Sequence, residues 1–309
     1  MSKSILSAAH FHNEEAAYEF VESQVWPKGP VCPHCGGVER NSKMGGKSTR
    51  IGTYKCYDCR KPFTVKVGTI FESSHIPLRF WLQAIFLIAS SKKGISSNQL
   101  HRTLGVTLKS AWFMSHRIRE AMKDVAGTLG GGGGIVEADE TYFGRIKGVK
   151  PKHGGASAHK ILALVERDGK TRSFHIANVD GRNLKPILMA QLDKSAHLMT
   201  DGAHHYKDIG REFAAHESVN HSQKEYARPS RRRGVVAHTN TAEGYFGLLK
   251  RGLVGTYHHV SEKHLQRYVT EFDFRFSNRV SLGVNDTERA SNLLRGVVGK
   301  RLTYRTTAQ

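Results

Sequence analysis

Two aspartates in the second half of the chain end short apolar segments that are typical of strands. Asp139 ends the segment that starts at Ile135, and Asp201 ends the segment that starts at His197. Carboxylates at the carboxyl ends of neighbouring strands can share divalent cations, because the sheet holds them close together. Two Mg²⁺ ions held in this way would clamp a phosphate for in-line displacement. A single Asp after a strand is more often a turn or a helix cap, so the pair needs support from other residues.

A polar segment further along the chain supplies that support. If it is helical, Asn240, Glu243 and Lys250 lie on one face, because they are three and seven residues apart. We interpret this face as a metal-binding surface with a lysine that binds phosphate. The alternative is an ordinary solvated face of a helix whose apolar side chains pack inward.

A run of arginines comes shortly before this segment, at Arg231, Arg232 and Arg233. A basic loop beside a cation site is suited to follow a DNA backbone, although most such charge runs are simply solvated. Arg251 directly follows Lys250 and extends the basic surface. We therefore expect all five side chains to contact DNA.

All four cysteines of the chain fall into two Cys-x-x-Cys pairs, Cys32 with Cys35 and Cys56 with Cys59. Each pair makes a tight turn that aims two thiolates at one ion, and two such turns complete a tetrahedron. We predict one structural Zn²⁺, because four protein ligands leave no open position for catalysis. Disulfides or a redox pair are the alternative, which the even use of the cysteines and the lack of an evident secretory signal disfavour.

A second candidate DNA-binding element follows the cysteines as a helix, a turn and a second helix. Leu100, Leu104 and Val106 would form its inner face, Gly105 the turn and Thr107 the cap of the second helix. A plain helical hairpin is the alternative, but the charge of the chain favours a helix-turn-helix. The second helix carries the side chains that we expect to contact phosphates and base edges: Lys109, Ser110, His116, Arg117 and Arg119.

The chain is strongly basic as a whole. Its 309 residues include 47 Lys and Arg against 27 Asp and Glu, which gives a formal net charge of +20. That balance makes double-stranded DNA the first expected partner. The 39% of hydrophobic residues is enough for real cores, and no segment reaches the roughly 18 apolar residues of a membrane span. We expect neither a membrane protein nor a secreted disulfide scaffold.

Five consecutive glycines at 130–134 predict a domain boundary, because no helix or strand tolerates them in its interior. Beyond them, three sequential strands, a helix and a further strand predict an α/β sheet with an antiparallel start. We predict four regions: an N-terminal helical segment over 1–29, a zinc ribbon over 30–72, a helical DNA-binding region over 73–129, and an α/β catalytic domain over 135–309.

The combination of motifs resembles one known family over essentially the whole chain. With the cysteine pairs and the helix-turn-helix, the chain is similar to the zinc-ribbon transposases of bacterial insertion sequences, the ISXO2-like family. The strings that carry the resemblance are Asp139–Gly144, Thr200–Gly202, His238–Phe246, Leu249–Arg251, Gly255–Ser261 and Glu271–Phe272 with Arg275.

The resemblance implies a ribonuclease-H-like catalytic domain that works with two divalent metals, Mg²⁺ or Mn²⁺. Asp139 and Asp201 would be its first two acids, and Lys250 would hold DNA phosphate near the scissile bond. The third position is open between two residues. The family pattern selects Asn240, whereas metal chemistry favours Glu243, because a neutral amide offsets less of the charge of the cations.

The implied activity is that of a transposase that binds the ends of an insertion sequence, cleaves DNA and joins 3′-hydroxyl ends to target DNA by two-metal transesterification. Because two ends are joined, we expect at least a dimer on DNA, in the cytoplasm and associated with the nucleoid. Two other readings stay open: a metal-dependent DNA endonuclease, and a non-catalytic DNA-binding regulator derived from a transposase.

Overall fold

The structure of the protein is a computed structural model that describes residues 4–124, 126–146, 148 and 158–303. The chain divides into two compact units. The first contains the chain up to Lys123 together with the segment from Asn285 onward, and the second contains Asp124–Val284. No helix within the described ranges is long and apolar enough to cross a membrane.

The first unit opens with α1 (Glu14–Val25), which Asn13 caps by accepting a hydrogen bond from the N–H of Ala16 at 2.9 Å. A small antiparallel sheet follows. Its core is limited to a few side chains, including Phe63 and Trp26, whose rings lie 5.7 Å apart. The strands, in the order β1-β2-β3, are β1 (Asn41–Lys43), β2 (Tyr54–Cys56) and β3 (Pro62–Phe63).

Three helices complete the N-terminal part of this unit. The predicted turn is confirmed, because Gly105 takes a left-handed φ of +68° and Thr107 accepts a hydrogen bond from the N–H of Ser110. Leu100 and Leu104 are buried as predicted. The helices are α2 (Leu78–Ser90), α3 (Ser97–Leu104) and α4 (Leu108–Ala121).

The second unit is built on a five-stranded sheet in the order β6-β5-β4-β7-β8. The pairs β4–β5 and β5–β6 are antiparallel, whereas β4–β7 and β7–β8 are parallel. This arrangement confirms the predicted antiparallel start. The strands are β4 (Ile135–Phe143), β5 (His159–Glu166), β6 (Thr171–Ile176), β7 (His197–Asp201) and β8 (Ala215–Val219), with a separate hairpin of β9 (Ala227–Pro229) and β10 (Val236–His238).

Helices cover both faces of this sheet, and the alternation of side chains along β4 and β5 decides which core each residue joins. Ala138 and Leu164 pack with α5 and α6, while Ile161 and Ala163 pack with α7 and α8. These helices are α5 (Gly181–Gln191), α6 (Tyr206–Gly210), α7 (Asn240–Gly252) and α8 (Glu262–Ser277).

The last helix, α9 (Asp286–Arg295), belongs to the first unit. A capping box between Asn285 and Glu288 starts it, and its apolar residues Leu293 and Leu294 are buried. The guanidinium of Arg289 donates to the carbonyl of Ala89 in α2 at 3.3 Å. The predicted extent of the last domain, 135–309, differs from this division, because the buried face of α9 has its partners in the first unit.

The glycine run is also not at the domain boundary that its composition predicts. It lies inside the second unit, where a Cβ at Gly130 would come within 2.5 Å of the Cβ of Ala196 and 2.8 Å of a methyl group of Val136. The φ of Gly130 is +77°, which few other residues adopt. The glycines are needed for a tight, packed turn, and the unit begins before them at Asp124.

Candidate active site

The parallel pairing of β4 and β7 brings the two predicted aspartates together. Ile135 lies opposite His197 and Glu137 opposite Met199, and the same register two residues further sets Asp139 beside Asp201. Asp201 ends its strand as predicted, but β4 continues to Phe143, so Asp139 lies inside its strand and not at the end. The pair therefore depends on register and not on two strand ends.

Both aspartates lie on the face of the sheet that α7 covers. Ala138 and Leu198 pack into the core under α5 and α6, so their neighbours Asp139 and Met199, and Asp201 two residues on, point to the opposite face. Asp139 and Asp201 are half-buried. The sheet thus presents two partly shielded carboxylates side by side.

The surroundings of Asp139 disfavour its ionised form. Burial raises the pKa of Asp139 to about 7, and the charges of Asp201, Glu243 and Glu137 add to the rise. A hydrogen bond of 2.7 Å from the N–H of Glu140 opposes it. Mutual repulsion among oxygen ligands is what a hard divalent cation relieves, so this donor set fits Mg²⁺ or Mn²⁺.

Helix α7 supplies the third group. Asn240 is its first residue and Glu243 lies in its first turn. The Glu243 side chain is 48% exposed, and its Oε1 lies 3.6 Å from Nδ1 of His221. The charge of Glu243 contributes to the raised pKa of Asp139, so this third carboxylate lies near the aspartate pair. Asn240 is exposed at the same end of the helix.

The two basic residues of α7 lie in its last turn, and both are exposed. Lys250 is seven residues after Glu243, which is about 10 Å along the helix axis on the same face. At that distance, Lys250 is suited to bind a neighbouring phosphate of a DNA strand and is too far away to share a cation with the carboxylates. Arg251 follows on the adjacent side of the helix.

Sequence analysis missed Glu137, which fixes α7 on the sheet. Its side chain is fully buried and accepts hydrogen bonds from the backbone N–H groups of Thr241 at 2.8 Å and Ala242 at 3.0 Å. Arg167 donates to it at 2.7 Å, and Nδ1 of His238 lies 3.1 Å away. A carboxylate at these N–H groups satisfies the free donors of the helix start and opposes its positive end. The only sequence signal was an acid within an apolar strand.

The four cysteines form the predicted cluster in the first unit. The Sγ atoms of Cys32 and Cys59 lie 3.6 Å apart and those of Cys35 and Cys56 lie 3.7 Å apart. A tetrahedron with Zn–S bonds of about 2.3 Å has edges of about 3.8 Å, whereas a disulfide joins its sulfurs at about 2.05 Å. The cysteines are free, so the disulfide alternative is wrong and the geometry fits one Zn²⁺.

Three of the predicted DNA contacts on α4 are wrong, because their side chains are buried. Arg117 is 3% exposed and donates to the carbonyls of Ile70 at 2.6 Å and Glu72 at 2.7 Å. Arg119 is 1% exposed and donates to the hydroxyl of Ser115 at 3.2 Å. The end of α4 is enclosed by its own unit, and His116 is buried there too.

The other predicted DNA contacts lie at the surface. Lys109 at the start of α4 is exposed, and Ser110 is half-exposed. In the second unit, the three arginines Arg231, Arg232 and Arg233 are exposed in the loop between β9 and β10, directly before α7. A cleft of about 670 Å³ beside this loop is lined by several cations, including Lys207, Arg211, Arg231 and Arg232.

Comparisons with known proteins agree with this organisation. Residues 131–277 match the ISXO2-like transposase domain, and residues 12–62 match a transposase zinc-ribbon domain. A protein of Halobacterium salinarum, described as an uncharacterized protein in transposable element ISH50, is 27% identical over 284 residues, which cover 86% of this chain and 91% of the relative. No solved structure matches the chain. The resemblance that the motifs indicate is confirmed.

Proposed function

We propose, from the match of residues 131–277 to the ISXO2-like transposase domain and of residues 12–62 to a transposase zinc-ribbon domain, that the chain is the transposase of an insertion sequence. It binds the ends of the element, cleaves DNA and joins the 3′-hydroxyl ends to target DNA. The observation that carries the proposal is the strand register that sets Asp139 beside Asp201, with Glu243 on α7 near enough for its charge to raise the pKa of Asp139.

The architecture supports a ribonuclease-H-like assignment for the second unit. Its strand order β6-β5-β4-β7-β8, with antiparallel pairs on one side of β4 and parallel pairs on the other, is the order expected for that fold. In the first unit, α3 and α4 with their left-handed glycine turn support a helix-turn-helix. Lys109 and Ser110 then lie at the start of its second helix, where base edges and phosphates are contacted.

Two chemical steps follow from this site. In the first, water attacks the phosphorus at the end of the element, the bond to the 3′-oxygen breaks, and that oxygen leaves as a 3′-hydroxyl. In the second, this hydroxyl attacks a phosphorus of the target strand and displaces its 3′-oxygen. Divalent cations would supply Lewis-acid activation when bound at the site. Asp139, Asp201 and Glu243 would hold the cations, and Lys250 would bind a phosphate further along the strand.

We assign the third ligand to Glu243. Its charge interacts with that of Asp139, and a carboxylate balances two divalent cations better than an amide. Asn240, at the start of the same helix face, contacts substrate or a ligand water beside it. Glu137 holds the helix that carries both residues and acts as a positioning residue.

A strand-transfer assay with labelled element ends, a plasmid target and Mg²⁺ tests the proposal. We expect Asp139→Asn and Asp201→Asn to bind the ends but neither to cleave nor to join them. Of Asn240→Ala and Glu243→Gln, we expect Glu243→Gln to be the more impaired. Asp208→Asn, which changes an acid with an 85% exposed side chain outside the trio, is the matched control. Joining at the wild-type rate by either Asp variant would refute the assignment.

The same assay separates the alternative functions. A metal-dependent endonuclease would cleave the labelled ends without producing joined molecules. A DNA-binding regulator would bind them without any cleavage. We propose at least a dimer on DNA, and light scattering of the protein on paired ends would exclude it by showing one chain per complex.

A further inference from the structure

We propose that the second unit binds an additional transition-metal ion, Zn²⁺ in the first place, through His159, His175 and Glu262. The ligand atoms of these three side chains all lie within 4.8 Å of one another. Across the part of the chain that the structure describes, only the four cysteines of the ribbon form another such group. The sequence also contains two pairs of adjacent histidines, His204–His205 and His258–His259, which belong to neither of these two groups of ligands.

Three separate elements bring these ligands together. His159 begins β5, His175 lies one residue before the end of β6, and Glu262 begins α8. In the antiparallel ladder His175 lies opposite Ile161, two residues after His159, so both imidazoles point to the face where Ile161 packs under α7 and α8. Their ring centroids are 5.2 Å apart. The carboxylate of Glu262 approaches the pair from the helix that lies over this face.

One nitrogen atom of the cluster lacks a hydrogen-bond partner among the described residues. His159 is 7% exposed, and its Nδ1 is buried without a hydrogen-bond partner among the described residues. A buried imidazole nitrogen is normally paired with a protein group or an ordered water. A metal ion coordinated through this nitrogen would give the imidazole the partner that the described residues do not supply.

The ligand set decides the class of ion. Two imidazoles and one carboxylate suit Zn²⁺ and its first-row neighbours, whereas Mg²⁺ takes oxygen ligands. Zn–N bonds of about 2.0–2.1 Å imply ligand atoms about 3.4 Å apart. Binding would draw the ligand atoms closer than the present limit of 4.8 Å, and the exposed Glu262 side chain can rotate towards the ion. Three protein ligands leave a fourth position for water.

This site is distinct from the aspartate pair. Asp139 lies opposite Ala163 and Ala163 opposite Ser173, so His175 is two strands across and two residues further along. With strands about 4.8 Å apart and about 3.4 Å per residue, the two Cα positions are about 12 Å apart. Both sites lie on the same face of the sheet. The additional ion ties the start of α8 to β5 and β6 beside the candidate active site.

Metal content tests the proposal directly. Purified full-length protein, loaded with excess Zn²⁺ and then dialysed, should carry about two zinc ions, one in the ribbon and one in this site. We expect His175→Ala and Glu262→Gln to lose one of the two. His259→Ala removes an exposed imidazole three residues before Glu262 and is the matched control, expected to keep both. One zinc in the wild type, or equal contents in all four proteins, would overturn the proposal.

Cobalt spectroscopy distinguishes the two sites in the same molecule. Co²⁺ in the ribbon gives a sulfur-to-metal charge-transfer band, whereas Co²⁺ bound by nitrogen and oxygen gives only d–d bands. We expect Glu262→Gln, a change at an exposed side chain, to keep the first signal and lose the second. A wild-type spectrum with thiolate bands alone would overturn the proposal, and this readout does not depend on transposition activity.

Discussion

At the scale of single residues, two acids of β4 have opposite surroundings although they are two positions apart on the same face. Glu137 is enclosed by hydrogen-bond donors from α7 and from Arg167. Asp139 accepts one hydrogen bond, from the N–H of Glu140, and lies near the charges of Asp201 and Glu243. The first acid is held by several donors, whereas the second is repelled by neighbouring carboxylates. Sequence reasoning found Asp139 from its position, but Glu137 acquires its role only from partners far along the chain.

Replacing Glu137 by Gln should destabilise the protein by about 2–4 kcal/mol, because an amide NH₂ then faces buried donors and Arg167 loses its anion. Denaturant unfolding of the wild type and the variant measures the difference. Asp208→Asn is the control, because Asp208 is 85% exposed in its ion pair with Arg211 and should have no measurable effect. Equal midpoints for all three proteins would contradict the role of Glu137.

Replacing Asp139 by Asn should abolish strand transfer and stabilise the metal-free protein at high pH. The folded-state pKa of Asp139, about 7, lies above the ordinary value of 3.8, so its contribution to stability is complete below pH 4 and is lost as the pH rises to 7. Above pH 7 the ionised Asp139 opposes folding, and the Asn variant should melt a few degrees higher.

Thermal melts at several pH values without added Mg²⁺ measure this difference, which should vanish towards pH 4. Added Mg²⁺ should then raise the melting temperature of the wild type more than that of the variant. Equal melting temperatures of the wild type and the variant at pH 8 would show that ionised Asp139 does not destabilise the protein.

At the scale of elements, α4 shows which features a single sequence predicts and which it does not. The cap Thr107 and the turn Gly105 are local signals, and the structure confirms both. The burial of Arg117 does not follow from local sequence, because its partners Ile70 and Glu72 come from a distant segment that encloses the end of the helix. Charge on a helix predicts exposure only where nothing else packs against it.

Lys109 and Arg117 should therefore respond differently to substitution. Lys109→Ala should weaken DNA binding about equally for all sequences and reduce the slope of log affinity against log salt by about 1, without changing stability. Arg117→Ala should lower stability by about 2–4 kcal/mol, since it leaves buried carbonyls unpaired. Fluorescence anisotropy with labelled DNA and thermal melts separate the effects. The reverse pattern would restore Arg117 as a DNA contact.

Loss of the ribbon metal should unfold the small sheet of β1–β3. Its core holds little besides Cys32, Cys56 and Phe63, so metal binding supplies much of its stability. Trp26 packs 5.6 Å from Tyr54 and reports on this core. The Cys56→Ser variant should lose the zinc, and the fluorescence emission of Trp26 should shift to the red. Subtracting the spectrum of a Trp26→Phe protein isolates the emission of Trp26 from that of the other tryptophans. An unshifted spectrum would mean that the ribbon folds without metal.

At the scale of the whole molecule, the net charge of +20 should dominate DNA affinity. If about 6–10 phosphates are contacted, affinity should fall by about 10³–10⁵ between 50 and 200 mM salt. Titrations of one labelled element end at several salt concentrations measure the slope. A slope near zero would mean that the exposed arginines and lysines do not contact the backbone.

The order of strands and helices was largely predictable, because hydrophobic runs, caps and turns are local. The division into units was not. The glycines at 130–134 predict a domain boundary, yet Gly130 is packed against Ala196 and Val136 within the second unit. The partners of α9 lie in α1 and α2, nearly the whole chain away. A single sequence does not show which distant element a helix packs against.

The return of α9 to the first unit sets the order in which a nascent chain can mature. Translation completes Asp124–Val284 before the ribosome reaches Leu293 and Leu294, whose burial closes the first unit. At about 5–20 residues per second, that unit waits roughly ten to thirty seconds for its last helix. A product released early within the second unit lacks this helix and leaves part of the apolar surface of α2 uncovered. Only a chain whose second unit has already been synthesised can complete the unit that contains the ribbon.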